Sequence, residues 1–210
     1  MQEKPRLIVL ISGSGSNLQA LIDAVQDGIM DAEIALVVSN RRTAYGLQRA
    51  DQVGIETFYF PFKPYRIAGQ SREQYDADLA MKLGEYKPHL IILAGWMHVL
   101  SSTFLNQFPG QVINLHPALP GQFDGVGAIQ RAYEAYQTGE VDHTGIMVHY
   151  AVPEVDAGPV VVQRTMHFLE GESLEDFEMR MHTAEHGLIV EATQRVLDAG
   201  RIYPRSLEEK

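Results

Sequence analysis

The chain has 210 residues, no cysteine and a formal net charge of −10 at neutral pH. That length suits one domain or two and is enough to bury a substantial core. The lack of cysteine excludes disulfides, thiol nucleophiles and cysteine-ligated zinc, and the acidic balance argues against nucleic acid as a partner.

No apolar run reaches the length that spans a membrane, and no apolar leader with a small-residue cleavage site precedes the first strand-like run. A cytoplasmic protein with no membrane partner is therefore expected. The tetrad Lys63-Pro64-Tyr65-Arg66 is the only local basic spot and reads as a loop.

Residues 6–12 (RLIVLIS) read as a buried strand. Ser16 can cap a helix in which Leu18, Leu21, Ile22 and Val25 share one face. A second strand is expected at 33–39, a helix at 44–53 stopped by Gly54, and a third strand at 55–60. Ser71 opens a further helix, and Gln74 three residues on completes a capping box. Pro88 ends that segment, and 89–94 (HLIILA) is a strongly apolar strand.

Residues 111–116 form the next strand, halted by Pro117, and 125–138 the next helix. Strands follow at 144–151 and 159–168, then a long helix from Ser173 and Asp176 to about Asp198. Alternation of this kind predicts an α/β fold: one domain over 1–210, with a mostly parallel open sheet covered by helices on both faces. No helix separates the last two strands, so they are free to run differently.

Three features carry chemistry. Gly13-Ser14-Gly15-Ser16-Asn17 lies where the first strand meets the first helix. Glycines allow close approach of a ligand, and a helix N-terminus suits a phosphate. Position 18 is leucine, so the third glycine of a dinucleotide fingerprint is missing. The loop reads as a monophosphate site or, equally, as a plain tight turn.

Asn114 and His116, two apart at a strand end, share one face where ligands bind in open α/β sheets. Polar groups on an otherwise apolar strand are costly to bury unpaired, which favours a site over a core histidine. Asp156, in Val155-Asp156-Ala157-Gly158, reads alone as a turn, and spacing does not bring it to His116. His182-Thr183-Ala184-Glu185-His186 spells H-x-x-E-H, which on a helix puts two histidines at i and i+4. Ordinary helix histidines are the plainer reading there, because nothing else in the chain has a peptidase context. Trp96 and Met181 read as packing, with Trp96 bordering the segment that follows the fourth strand.

The ordered set Ile11 to Asn17, Ser71-Arg72-Glu73-Gln74-Tyr75, Val112-Ile113-Asn114-Leu115-His116-Pro117, Val155-Asp156-Ala157-Gly158-Pro159 and Ala184-Glu185-His186 resembles the phosphoribosylglycinamide formyltransferase family. The resemblance runs from about Arg6 to Asp198. It implies a Rossmann-like formyltransferase fold and transfer of a formyl group from 10-formyltetrahydrofolate to the amine of glycinamide ribonucleotide, a step of de novo purine synthesis. Both are small-molecule substrates. No metal is implied, and a homodimer is compatible with it.

By motif, the resemblance makes Asn114, His116 and Asp156 the catalytic residues. Gly15, Ser16, Asn17 and Glu185 would hold the ribonucleotide. Arg72, Met97, His98, Val99, Leu100 and Asn114 would contact the folate. Amine attack on a formyl carbon builds an oxyanion, which the Asn114 amide can stabilise, while His116 moves protons. An Asp156 carboxylate beside His116 is expected to raise its pKa.

Two departures from the family pattern stand out: His98, where many members have arginine, and the stretch from Ala118 to Gly125. Rival readings are a formyltetrahydrofolate deformylase, a formyltransferase acting on initiator tRNA, a zinc enzyme using His182 and His186, and a non-catalytic nucleotide-binding module. The first two carry an additional N- or C-terminal domain, for which a first strand at about residue 6 and a final helix near Asp198 are expected to leave no room.

Overall fold

The computed structural model describes residues 3–200. Five short apolar runs become parallel strands: β1 (Arg6–Ile11), β2 (Glu33–Ser39), β3 (Thr57–Tyr59), β4 (Leu90–Leu93) and β5 (Val112–His116). Two more, β6 (His143–Tyr150) and β7 (Val160–His167), complete a seven-stranded sheet in the order β3-β2-β1-β4-β5-β6-β7. β6 pairs antiparallel with β5, and β7 antiparallel with β6. Of the last two strands β6 therefore runs against β1–β5, whereas β7 points the same way as they do. β5 and β6 are antiparallel as well, although a helix separates them.

The helices are α1 (Ser16–Gln26), α2 (Tyr45–Gln52), α3 (Lys63–Ile67), α4 (Arg72–Gly84), α5 (Ser102–Leu105), α6 (Ala128–Gln137) and α7 (Leu174–Asp198). Two differ from the sequence reading in kind. The tetrad beginning at Lys63 is a short helix with proline in its first turn, where proline's missing N–H costs nothing. The four-residue α5 has too few positions to show a period.

The strands β1, β2, β4 and β5 are buried on both faces, as their apolar runs require. Leu7, Val9, Ile11, Ile92 and Ile113 pack with Leu18, Leu21, Ile189 and Ala192 from α1 and α7. The alternate residues Ile8, Leu10, Ile91 and Leu93 pack with Tyr75, Leu79 and Phe104 from α4 and α5. The two-residue period thus feeds two cores from one strand.

Capping follows the sequence for α4 and α7. Ser71 Oγ accepts from the Gln74 amide at 3.2 Å, and Ser173 Oγ from the Asp176 amide at 3.1 Å. At α1 it does not. Gly15, in a left-handed conformation, occupies the cap position, Ser16 is already helical, and no side chain caps the helix. The first amides of α1 are therefore left for another acceptor.

The chain runs from β1 outward to β3, then returns to place β4 on the other side of β1. In such sheets a crevice opens beyond the strand ends at the point where the order reverses. Ser12 and the segment after β4 meet there: Ser12 Oγ accepts from the Met97 amide at 2.9 Å.

Candidate active site

A cleft of about 240 Å³ lies over the ends of β4 and β5, walled by Leu93, Trp96, Leu105, Leu115 and Val152. Asn114, His116, His149 and Asp156 supply polar groups to an otherwise mainly apolar lining. Asn114 and His116 reach it from one face of β5, as their spacing predicts. Asp156 comes from the loop between β6 and β7.

That loop is held by backbone geometry. Ala151 N–H donates to the Val112 carbonyl at 2.9 Å, fixing the exit from β6. At Gly158 a Cβ would fall 1.8 Å from the Tyr150 carbonyl oxygen, so only glycine lets the returning chain pass. Asp156 itself has φ 54, a left-handed conformation that aspartate tolerates better than bulky residues. Sequence spacing had no access to this fold-back. The structure brings Asp156 Oδ2 within 3.3 Å of His116 Nδ1, and Asp156 Oδ1 accepts from Asn114 Nδ2 at 3.1 Å.

Asp156 is crowded with donors. The Gly125 amide donates to Oδ2 at 2.8 Å, and His149 Nε2 lies 3.4 Å from Oδ1. Burial alone pushes the carboxyl up. Hydrogen bonding to the carboxylate, that of the Gly125 amide included, outweighs burial and holds it below the usual carboxylate range. Asp156 is therefore an anion at neutral pH.

The expected rise in the His116 pKa is corrected. The Asp156 charge does act upward, but burial disfavours the imidazolium more, and the net shift is downward. His116 is only 4% exposed. At neutral pH it is an uncharged imidazole with Nδ1 toward Asp156. Its Nε2 is buried and makes no hydrogen bond among the described residues. The resting group is thus a proton acceptor at Nε2, with Nδ1–H held by the carboxylate.

The segment after β4 forms the cleft's other side. Met97, His98, Val99 and Leu100 all line it. Arg72 does not; it braces this segment from behind. Its guanidinium donates to the Val99 carbonyl and, at 3.3 Å, to Asp76 Oδ1, while Asp76 Oδ2 accepts from the Ser101 amide at 2.8 Å. His98 sits edge-on to Phe62, Tyr75 and Trp96 at ring separations of 5.8–6.0 Å. Burial and then the Arg72 charge lower its pKa, so it is a neutral aromatic wall rather than a substitute cation. Val126, 81% exposed, stands at the mouth.

A second polar cluster lies at the start of α1. Asn17 Nδ2 donates to Glu185 Oε2 at 3.0 Å, across 168 residues of sequence, and His182 Nδ1 lies 3.1 Å from the same oxygen. Asn17 and Glu185 are both buried, and Asn17 Oδ1 makes no hydrogen bond. The hydrogen bond to Glu185 raises the His182 pKa against the opposing effect of burial. Gly15 allows this loop to form: a Cβ there would lie 2.6 Å from Gly46 Cα. Through Asn17 this loop meets Glu185 in space.

Among the described residues the one set of three ligand atoms close enough for a metal is His116, Asp124 and Asp156, all within 4.8 Å of one another. His182, Glu185 and His186 form no such set, so the H-x-x-E-H spacing does not build a zinc site. Sequence reasoning missed His149. Its signal was there: a histidine in the apolar run Ile146-Met147-Val148-His149-Tyr150 is as anomalous as His116 on its own strand.

An open α/β sheet with a half-buried amide and carboxylate and two buried imidazoles gathered around the ends of β5 and β6 defines an enzyme of acid–base group transfer or hydrolysis. Residues 5–193 match the family model described as formyl transferase, and the chain belongs to that family. It is 45% identical over 199 residues to the phosphoribosylglycinamide formyltransferase of Schizosaccharomyces pombe, covering 91% of this chain and 96% of that one. It is 37% identical to the Escherichia coli protein of the same name, covering 87% and 82%. The crystal structure of glycinamide ribonucleotide transformylase 1 from Symbiobacterium toebii superposes with a TM-score of 0.86 at 36% identity, covering 96% of this chain and 91% of that one.

Proposed function

We propose that this chain, acting as one catalytic unit over 1–210, transfers the formyl group of 10-formyltetrahydrofolate to the amine of glycinamide ribonucleotide in de novo purine synthesis. One observation carries the reading: Asp156 is bonded to Asn114 and paired with His116 inside an apolar cleft, while a separate buried cluster waits at an uncapped helix start. Two substrates need two such places.

The ribonucleotide phosphate takes the free amides of α1 around Gly15, Ser16 and Asn17. Glu185 meets the ribose hydroxyls. His182, whose charged form the bond to Glu185 favours, adds positive charge to that of Arg49, whose guanidinium donates to the Ser14 carbonyl of this loop at 2.9 Å. The ring system of the folate lies against Met97, His98, Val99 and Leu100, on a segment that Arg72 keeps in shape.

The substrate amine attacks the formyl carbon, and the carbonyl oxygen becomes an oxyanion that an Asn114 N–H stabilises. The neutral His116 Nε2 takes the proton from the amine nitrogen and returns it to the folate nitrogen as the C–N bond to folate breaks. Asp156 stabilises the transient imidazolium through Nδ1–H. The donor nitrogen leaves with one proton and the acceptor keeps the formyl group, so no water is consumed. The proposal has small-molecule partners and a cytoplasmic setting; among the described residues no helix is long and apolar enough to cross a membrane.

The test is a spectrophotometric assay with 10-formyltetrahydrofolate, run with and without glycinamide ribonucleotide. Turnover that depends on the ribonucleotide supports the reading. Loss of the formyl group to water without it points to a hydrolase, and inactivity in both arms overturns the assignment.

A further inference from the structure

We infer that His149, in its Nδ1–H form, is a positioning residue that sets the Asn114 amide for catalysis and holds the N–H that the formyl oxygen takes. The inference rests on the catalytic role proposed for Asn114.

The positions of the hydrogens follow from the acceptors around the ring. His149 Nδ1 lies 2.9 Å from the Tyr150 carbonyl oxygen. A carbonyl only accepts, so Nδ1 carries the proton. In the uncharged ring Nε2 is then a bare lone pair. It lies 3.1 Å from Asn114 Nδ2. The amide nitrogen has two hydrogens: one goes to Asp156 Oδ1 at 3.1 Å, the other to His149 Nε2. Both acceptors face the same amide group. The alternative amide orientation would set the Asn114 carbonyl against a carboxylate oxygen and an imidazole lone pair, three acceptors with no hydrogen between them.

Backbone pairing makes this arrangement stiff. Asn114 and His149 are directly opposed in the β5–β6 register, and His149 is 2% exposed. Directly paired residues have Cβ atoms only about 5 Å apart, so neither side chain can drift away.

The two acceptors are unequal. The N–H on Asp156 is held by a carboxylate, roughly twice as strong a partner as a neutral one. The N–H on His149 is held by a neutral nitrogen and is the one a developing oxyanion can compete for. His149 keeps that hydrogen pointed and satisfied in the empty site and releases it as charge builds. A doubly protonated His149 would abolish this: Nε2–H would donate to Asp156 Oδ1, 3.4 Å away, and would confront the Asn114 N–H.

The first test does not depend on the substrate. Protein labelled with ¹⁵N in its histidine rings is studied by NMR at neutral pH, with the His149 signals identified by their loss in His149→Gln. We expect a protonated Nδ1 and a bare Nε2, the reverse of the form that free imidazole side chains favour. A proton on Nε2 would overturn the inference even if the formyl-transfer reading stands.

The second test is a double-mutant cycle in the formyl-transfer assay. His149→Ala should lower kcat at least roughly tenfold with both KM values nearly unchanged, and His149→Gln, which can offer an amide oxygen in place of Nε2, should recover part of the loss. In an Asn114→Ala background the His149→Ala change should cost almost nothing further, because coupled neighbours are non-additive. Equal factors in both backgrounds would mean that His149 is packing only. Should His149→Ala not fold, the His149→Gln arm and the NMR result still decide the matter.

Discussion

Two clusters in this molecule have the same ingredients and opposite electrostatics. At the cleft, Asn114, Asp156 and His116 come together; at the start of α1, Asn17, Glu185 and His182 do. Each is an amide donating to a carboxylate that also faces a histidine. Yet the His116 pKa is lowered and the His182 pKa is raised. The difference is access to water. The His116 side chain is 5% exposed and the His182 side chain 51%. Around His116, burial outweighs the carboxylate; around His182, the hydrogen bond to the carboxylate outweighs burial. A His–acid pair is therefore tilted toward the neutral proton acceptor in one setting and toward the cation in the other, which suits the chemistry proposed at the cleft and the phosphate binding proposed at the loop.

The largest effect should come from the cleft. His116→Ala removes the proposed proton carrier and is expected to lower kcat by about 10²- to 10⁴-fold. Circular dichroism should show the fold unchanged, and steady-state kinetics with both substrates measure the loss. Near-normal turnover would break the comparison at its catalytic end.

Asn17→Ala acts at the other cluster. It should raise the KM for ribonucleotide by roughly 10- to 100-fold, the value of a hydrogen bond to a charged group, and leave the folate KM alone. Calorimetric titration with each substrate separates the two. An effect on folate binding alone would mean that the clusters have been assigned the wrong way round.

A pH series sharpens the same contrast at smaller amplitude. His182 is charged below its raised pKa and loses that charge as pH climbs through it, so ribonucleotide affinity should weaken on the alkaline side. His116 is neutral above its lowered pKa and takes a proton as pH falls through it, so kcat should drop on the acid side. Affinity and turnover should therefore fail at opposite ends. Loss of both in the same pH range would contradict the separation. The smallest expected effect is that of a chelator: the proposed steps use only side-chain acids and bases, so treatment with EDTA should leave activity unchanged.

Much of this was legible in the sequence. The apolar runs of β1, β2, β4 and β5 are continuous because both faces are buried, and that pattern needs no third dimension to read. Asn114 and His116 stood out as polar residues on such a run. What local pattern could not supply was the fold-back. Asp156 reaches His116 through a glycine pressed against the Tyr150 carbonyl and a left-handed backbone turn, neither of which has a periodic signature. The Asn17 to Glu185 bond spans 168 residues and joins α1 to α7. Only the resemblance assigned those two residues to one substrate. The direction of the His116 shift was misjudged because a charge partner is visible in a motif, whereas the degree of burial depends on everything packed around it. Ser16 was misread as a cap because a left-handed Gly15 takes the cap position and has no side chain to offer the first amides of α1.

The most direct test of the account is the steady-state kinetics of Asp156→Asn with both substrates. Asp156 accepts from Asn114, pairs with His116 and is held ionised by its donors, so removing its charge strikes the proposed catalytic cluster alone. The account predicts a fall in kcat of roughly 10²-fold or more with ribonucleotide KM essentially unchanged. A variant that turns over at near-normal rate, or one whose whole defect lies in ribonucleotide KM, would contradict it.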